Sequence, residues 1–420
     1  MSLLIRSAKI IDPSSSHHGK VRDILIQDGK LKEIASSITA SAKKEIPAKG
    51  CLLSIGWMDL KAFVGEPGLE YQETIASATA AAAAGGFTQL ACTANTEPVV
   101  QTKDAVNALK QGNTTRVTDL FPIPSLSKGL KGKELTEIID LHSVGSTLFS
   151  DGSQAVSNAD ILKKALEYSQ VVDATVIDFP QEQSLTGLGQ VHESTQSTQQ
   201  GLVGIPSYTE TLQIQRDLEI LKYTGGKLHF SSISSKESVN LIKKAKKEGL
   251  SVSCDVAVAN LAFTEDLVSH FNTNAKVNPP LRSKKDQKAL WQGIYDGTID
   301  CIVSDHTPLD EESKKLEFNL ASFGMITLQT FLAMIVHGKT EKQWEAIIAS
   351  LTINPRRISQ LAVTSIAEGE KAELTLFNPT LTWEYTEKDN LSLSKNSPLL
   401  GQELTGKVIA CINGKNQYIA

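Results

Sequence analysis

The stretch TIASATAAAAAGGFTQLACTA, residues 74–94, contains a helix, its stop signal and the strand that follows. Alanine costs least to hold in a helix, so Thr74–Ala84 reads as helical, and Gly85-Gly86 fits a glycine C-cap. Phe87–Ala94 then runs apolar, as a strand buried on both faces does. The same alternation recurs on both sides. Lys103–Gln111, Glu134–Val144, Asp160–Val172, Glu210–Tyr223, Lys236–Glu248 and Lys285–Asp296 read as helices. Val117–Ile123, Ser146–Phe149, Thr175–Phe179, Lys227–Ile233, Leu250–Val258 and Ile299–Ser304 read as strands between them, and Phe323–Val336 and Thr340–Ser350 as closing helices. Repeated strand–helix units imply a parallel sheet, and about eight of them over roughly 300 residues favour a closed (β/α)8 TIM-type barrel over an open sheet.

The ends differ in texture. Leu3–Ile11 and Asp23–Ala35 carry β-branched and mixed patterns with a turn at Asp28-Gly29. Ala372–Phe377, Lys407–Ile412 and Gln417–Ala420 return to that pattern around Asn413-Gly414. The expected organisation is a barrel over 56–361 and a small β-rich, sandwich-like domain from 1–55 and 362–420.

The chain has 420 residues, 42 basic and 47 acidic side chains and a net charge of −5. That balance argues against a phosphate-tracking nucleic-acid surface. No stretch reaches the roughly 20 apolar residues of a membrane span. Cys51, Cys92, Cys254, Cys301 and Cys411 are scattered with no CxxC pair, so neither a zinc knuckle nor a disulfide framework is indicated. A cytoplasmic protein is expected.

The order of motifs carries a resemblance. Gly56-Trp57-Met58-Asp59-Leu60-Lys61-Ala62-Phe63-Val64-Gly65-Glu66-Pro67-Gly68 is followed by Glu73-Thr74-Ile75, Ala83-Ala84-Gly85-Gly86-Phe87-Thr88 and Ala94-Asn95-Thr96-Glu97-Pro98. Then come Gly204-Ile205-Pro206, Ser234-Ser235-Lys236-Glu237-Ser238, Lys276-Val277-Asn278-Pro279-Pro280, Asp305-His306-Thr307-Pro308 and Leu351-Thr352-Ile353-Asn354-Pro355. This series resembles the dihydroorotases of the amidohydrolase superfamily. The resemblance implies a metal-dependent-hydrolase barrel holding one or two zinc ions, which polarise a cyclic amide and bring bound water to a pKa of roughly 7. It also implies that Asp305, at the end of the eighth strand, is the catalytic aspartate.

The donor positions depart from that pattern. Lys61 and Phe63 stand where the resemblance implies paired histidines, and Phe179 and Ser232 where it implies the histidines of the fifth and sixth strands. Asp151 falls near the bridging ligand. Gly65 replaces the arginine that grips the substrate carboxylate, and Leu309 a further histidine. Asn95 and Asn278 survive as candidate substrate-binding residues, with capping of loop backbone as the alternative. A zinc site needs imidazole, carboxylate or thiolate donors at about 2.0–2.3 Å, and Asp305 is the one clear survivor. No cofactor is therefore expected. Lys61 is expected either to pair with Asp305 or Asp151, filling the metal's place, or to turn to solvent.

Elsewhere His17 and His18 read as a surface pair, His229 as a neighbour of the ligand position, and His306 as a packing residue. His142, His192, His270 and His337 read as structural. Lys243, Lys244, Lys246 and Lys247 read as the solvated face of a helix.

Three functional classes stay open. One is a catalytically silent dihydroorotase-like (pseudo-dihydroorotase) protein of pyrimidine biosynthesis, supporting aspartate transcarbamoylase as the family's inactive branch does. A second is an amidohydrolase acting on a cyclic amide through an altered site, and the third is a metabolite-binding module. The family's barrels often dimerise, so a homodimer is a further expectation.

Overall fold

Eight parallel strands form the barrel: Trp57–Ala62 opens it, and Phe87–Cys92, Asp119–Pro122, Leu148–Ser150, Thr175–Asp178, Lys227–Phe230, Val252–Ala257 and Cys301–Val303 follow in the predicted places. The computed structural model describes residues 2–336 and 338–420, so His337 lies outside the described residues. The first three strands pair in sequence, as do the last five. Two seams close the ring. Ser150 N donates to Pro124 O at 3.2 Å between the third and fourth strands. Asp305 N donates to Lys61 O at 3.1 Å, and Phe63 N to His306 O at 2.9 Å, between the eighth and first. Met58, Leu60, Ala91, Ile123, Leu148, Ile177, Ala257, Cys301 and Val303, drawn from nearly every strand, fill the ring with an apolar cluster.

The alanine helix spans Ile75–Ala84, with the Thr74 hydroxyl accepting from Ser77 N at 3.1 Å. Its small side chains let it dock closely, and Gly85 shows how closely. A Cβ there would lie 2.0 Å from Leu328 O.

Two predicted helices are shorter than expected. Glu134–Val144 contracts to Ile138–His142, because Lys128 N bonds Glu134 O and Thr136 N bonds Leu126 O, drawing 134–136 into an extended bridge. Phe323–Val336 contracts to Phe331–Ile335, because Gly324 N is taken by Lys276 O, Met325 O by Thr307 N, and Ile326 N by Asn396 O. In both, partners distant in structure outcompete the helical ladder.

Strands from both chain ends join one sheet, in the order Asn416–Ile419, Gln402–Asn413, Glu373–Tyr385, Leu52–Ile55, Ser2–Ile10, Val21–Gln27, Lys30–Ala35, with Lys44–Pro47 also beside Ser2–Ile10. Hydrogen bonds join these strands into one continuous sheet. Its own core includes Leu3, Ile5, Ile24, Leu53, Leu374 and Ile412.

The sheet is anchored to the barrel by buried polar contacts. Glu373 accepts from Thr88 Oγ1 at 2.8 Å and from Arg356. Asn413 Nδ2 donates to Val117 O at 3.0 Å and to Asp119 Oδ2 at 3.1 Å. The connection between the two longest strands, residues 386–401, crosses to the barrel instead of staying with the sheet. Leu393 N donates to Glu73 Oε1 at 3.0 Å, and Asn396 Nδ2 to Thr307 O at 2.9 Å. Among the described residues, no helix is long and apolar enough to cross a membrane. All five cysteines are buried free thiols.

Candidate functional site

Lys61 is the penultimate residue of the first barrel strand, and its backbone is fixed from below. Lys61 N donates to Asp59 Oδ1 at 3.2 Å, and the Asp59 carboxylate also receives Ser304 N at 3.0 Å and the Ser304 hydroxyl. Burial pushes the Asp59 carboxyl up to about 7 against these hydrogen bonds. From this footing the Lys61 side chain turns inward, with only 5% of the residue exposed. Its ammonium lies 3.0 Å from Asp305 Oδ1, 3.0 Å from Ser232 Oγ and 5.0 Å from the centroid of the Phe179 ring. The expected pairing of Lys61 with Asp305 is therefore present, and the solvent-facing alternative is not.

The two residues whose oxygens accept from Lys61 both sit on unusual backbone. Ser232 has φ 57° and Asp305 φ 50°, a region that costs a non-glycine residue about 1 kcal/mol or more. Neighbours compensate: Ser232 N donates to Asp255 Oδ1 at 2.6 Å, and Asp305 N to Lys61 O. Burial raises the Asp305 carboxyl above the usual range, and the adjacent Lys61 charge opposes that rise. The cluster contains a carboxylate, a hydroxyl, a phenyl ring and an ammonium. Only the carboxylate is an ordinary zinc donor.

The other candidates are placed apart from this cluster or beside it. Phe63 is buried, its amide spent on His306 O. Asp151 receives Ser127 N at 2.8 Å and the Ser127 hydroxyl, and burial raises its carboxyl; it braces a loop and does not pair with Lys61. Asn95 is exposed, with Thr93 Oγ1 at 2.5 Å from its Oδ1. Asn278 and Gln181 exchange two amide hydrogen bonds, at 2.9 and 3.1 Å. Gly65 has φ 72°, and a Cβ there would lie 2.2 Å from Glu73 O. This backbone path has no room for a side chain where the resemblance implies an arginine. Leu309 N is bound by Asn396 Oδ1 at 3.1 Å.

Three buried polar groups have partners that the sequence did not reveal. His229 bridges Ser253 Oγ and Asp255 Oδ2, each at 2.8 Å, and so anchors the carboxylate that holds Ser232. His306 Nδ1 accepts from Thr327 N at 3.1 Å, while Nε2 faces Glu73 at 3.3 Å. Asp59 is the third. The period-two spacing of Asp59 and Lys61 was the available signal; for the others, strand register decides the partner. Among the described residues, no three His, Cys, Asp or Glu side chains are grouped so as to hold a metal ion.

Residues 50–238 match a family model described as Dihydro-orotase-like. The dihydroorotase of Pelobacter propionicus is 38% identical over 419 residues, covering 98% of each chain. That of Caldicellulosiruptor saccharolyticus is 39% identical over 422 residues, covering 98% of this chain and 97% of its own. The chain belongs to the dihydroorotase family. Its fold is shared more widely. L-Hydantoinase (dihydropyrimidinase) from Arthrobacter aurescens superposes with a TM-score of 0.83 at 21% identity, covering 99% of this chain and 95% of that one. A D-hydantoinase gives 0.81 at 18% identity, covering 100% and 95%. This dihydroorotase-family chain thus combines the barrel and β-rich domain with a lysine-centred cluster at the ends of its first, fifth, sixth and eighth strands.

Proposed function

We propose that this chain is a cytoplasmic dihydroorotase-like protein of pyrimidine biosynthesis whose barrel is catalytically silent, and that it serves as a structural or regulatory partner of aspartate transcarbamoylase. The observation that carries the reading is the Lys61 ammonium, 3.0 Å from both Asp305 and Ser232 and over Phe179. A dication at that place would meet a fixed positive charge, and the repulsion between unit charges about 4 Å apart is about 1 kcal/mol even in bulk water and several times that near a protein interior. Asp305 spends its charge on Lys61, so it is also poorly placed to take a proton from water. The residues present do not suit zinc.

Metal analysis of the purified chain together with a dihydroorotate-hydrolysis assay tests the silent reading. Neither stoichiometric zinc nor turnover is expected; finding both overturns it. Mixing with aspartate transcarbamoylase tests the partnership, and separate elution of the two proteins counts against it. The relatives named dihydroorotase favour one second reading, a cyclic-amide hydrolase with an altered site. Turnover without bound metal, abolished by Asp305→Asn, would support that reading instead.

A further inference from the structure

The helices that follow the sixth and seventh strands, Lys236–Lys247 and Lys284–Tyr295, lie side by side and enclose a surface groove of about 520 Å³. Lys236, Lys243, Lys284, Lys285 and Lys288 line it, against one carboxylate, Asp296. Lys243 is paired with Asp296 at 2.6 Å, and Lys284 reaches Asp266 only at 3.4 Å. Lys236, Lys285 and Lys288 have no ion pair among the described residues. This excess of positive charge stands on a chain whose net charge is −5.

Local helix stability does not account for the arrangement. Lys236 opens one helix, and Lys284 and Lys285 open the other, where the positive end of the macrodipole disfavours cations. The two helix starts are held together, since Lys236 N donates to Asp286 Oδ1 at 3.0 Å. Lysine charge and two dipole ends therefore converge on one place, offset in part by the first-turn carboxylates of Glu237 and Asp286. Val239 and Ala289 add apolar surface to the groove.

We infer that this groove docks an acidic, amphipathic segment of a partner protein. Charge complementarity selects an anion, and each helix, 12 residues or about 18 Å long, offers a track of peptide length. The apolar lining suits the leucine or alanine side chains of such a segment. Nucleic acid fits less well, because the groove has no arginine for bidentate phosphate contact and no aromatic ring on which a base could stack. The inference does not depend on whether the barrel is silent.

The test uses the full chain and fluorescence anisotropy with a labelled peptide of about twelve residues alternating glutamate pairs with leucine and alanine, and a labelled oligothymidylate for comparison. The peptide is expected to bind saturably, weakening about tenfold as salt rises from about 0.05 to 0.2 M and about tenfold in the Lys236→Glu, Lys285→Glu, Lys288→Glu triple variant. The matching glutamine variant, which only neutralises, is expected to lie between. Absence of saturable binding, binding indifferent to these substitutions, or preference for the oligothymidylate overturns the proposal.

Discussion

Lys61 and Asp305 form an ion pair of 3.0 Å in which the lysine side chain is 6% exposed and the aspartate 15%. Each charge is out of water and depends on the other. The pair thereby sets both the stability of the strand ends and their affinity for any other cation.

Breaking one side of such a pair costs more than removing both. Lys61→Met leaves the Asp305 charge uncompensated and is expected to lower unfolding free energy by about 3–5 kcal/mol. The double variant Lys61→Met, Asp305→Leu is expected to recover most of that loss. Urea unfolding of the two single variants and the double variant gives the coupling; additive losses would mean that the residues do not interact.

If the Lys61 ammonium fills the metal's place, as proposed, chelation has nothing to remove from the cluster. Dialysis against EDTA is expected to leave the thermal midpoint unchanged. A distinct fall would show a bound metal stabilising the native state.

Lys276 and Lys314 lie buried beneath the loop that follows the eighth strand. Lys276 Nζ donates to Phe318 O at 2.7 Å, and Lys314 Nζ donates to Ser322 O at 2.8 Å and Gly324 O at 3.0 Å. Burial lowers the Lys276 ammonium to about 8; burial, then repulsion from Lys276, lowers Lys314 to about 7. The unfolded chain therefore binds more protons than the native state between about pH 7 and the ordinary lysine value near 10.5, and stability from this pair rises with pH across that window. A gain of about 1–3 kcal/mol from pH 7 to 9 is expected in urea unfolding and should shrink in Lys314→Met. An unchanged slope in that variant would place the titration elsewhere.

Gly85→Ala tests the docking of the alanine helix. With Leu328 O 2.0 Å from the new methyl, a loss of about 1–3 kcal/mol is expected despite alanine's better helix propensity. A stabilised variant would show that the backbone there yields easily.

Much of this architecture is legible in the chain because it depends on local texture. Thr74 and Gly85 delimit a helix that either residue type would predict, and the apolar strand at Phe87 follows from composition. The Lys61–Asp305 pair was accessible only as one of three alternatives, because the resemblance places both residues around one site and leaves Asp151 and solvent open to the amine. The Asp255–His229 and Glu73–His306 contacts were not accessible, since they depend on registers that bring distant residues together. The shortened helix at Phe331 failed for a related reason: Asn396, far along the chain, takes the amide of Ile326.

The single sheet built from both chain ends also imposes an order of assembly. Leu52–Ile55 pairs with Glu373–Tyr385, so one flank of a strand made early must wait for a partner translated after the whole barrel. At about 5–20 residues per second that interval is on the order of tens of seconds. During it the Leu53 and Ile55 edge is a half-finished surface on the nascent chain. Whatever shields that edge on the ribosome therefore influences how much of this protein a cell obtains.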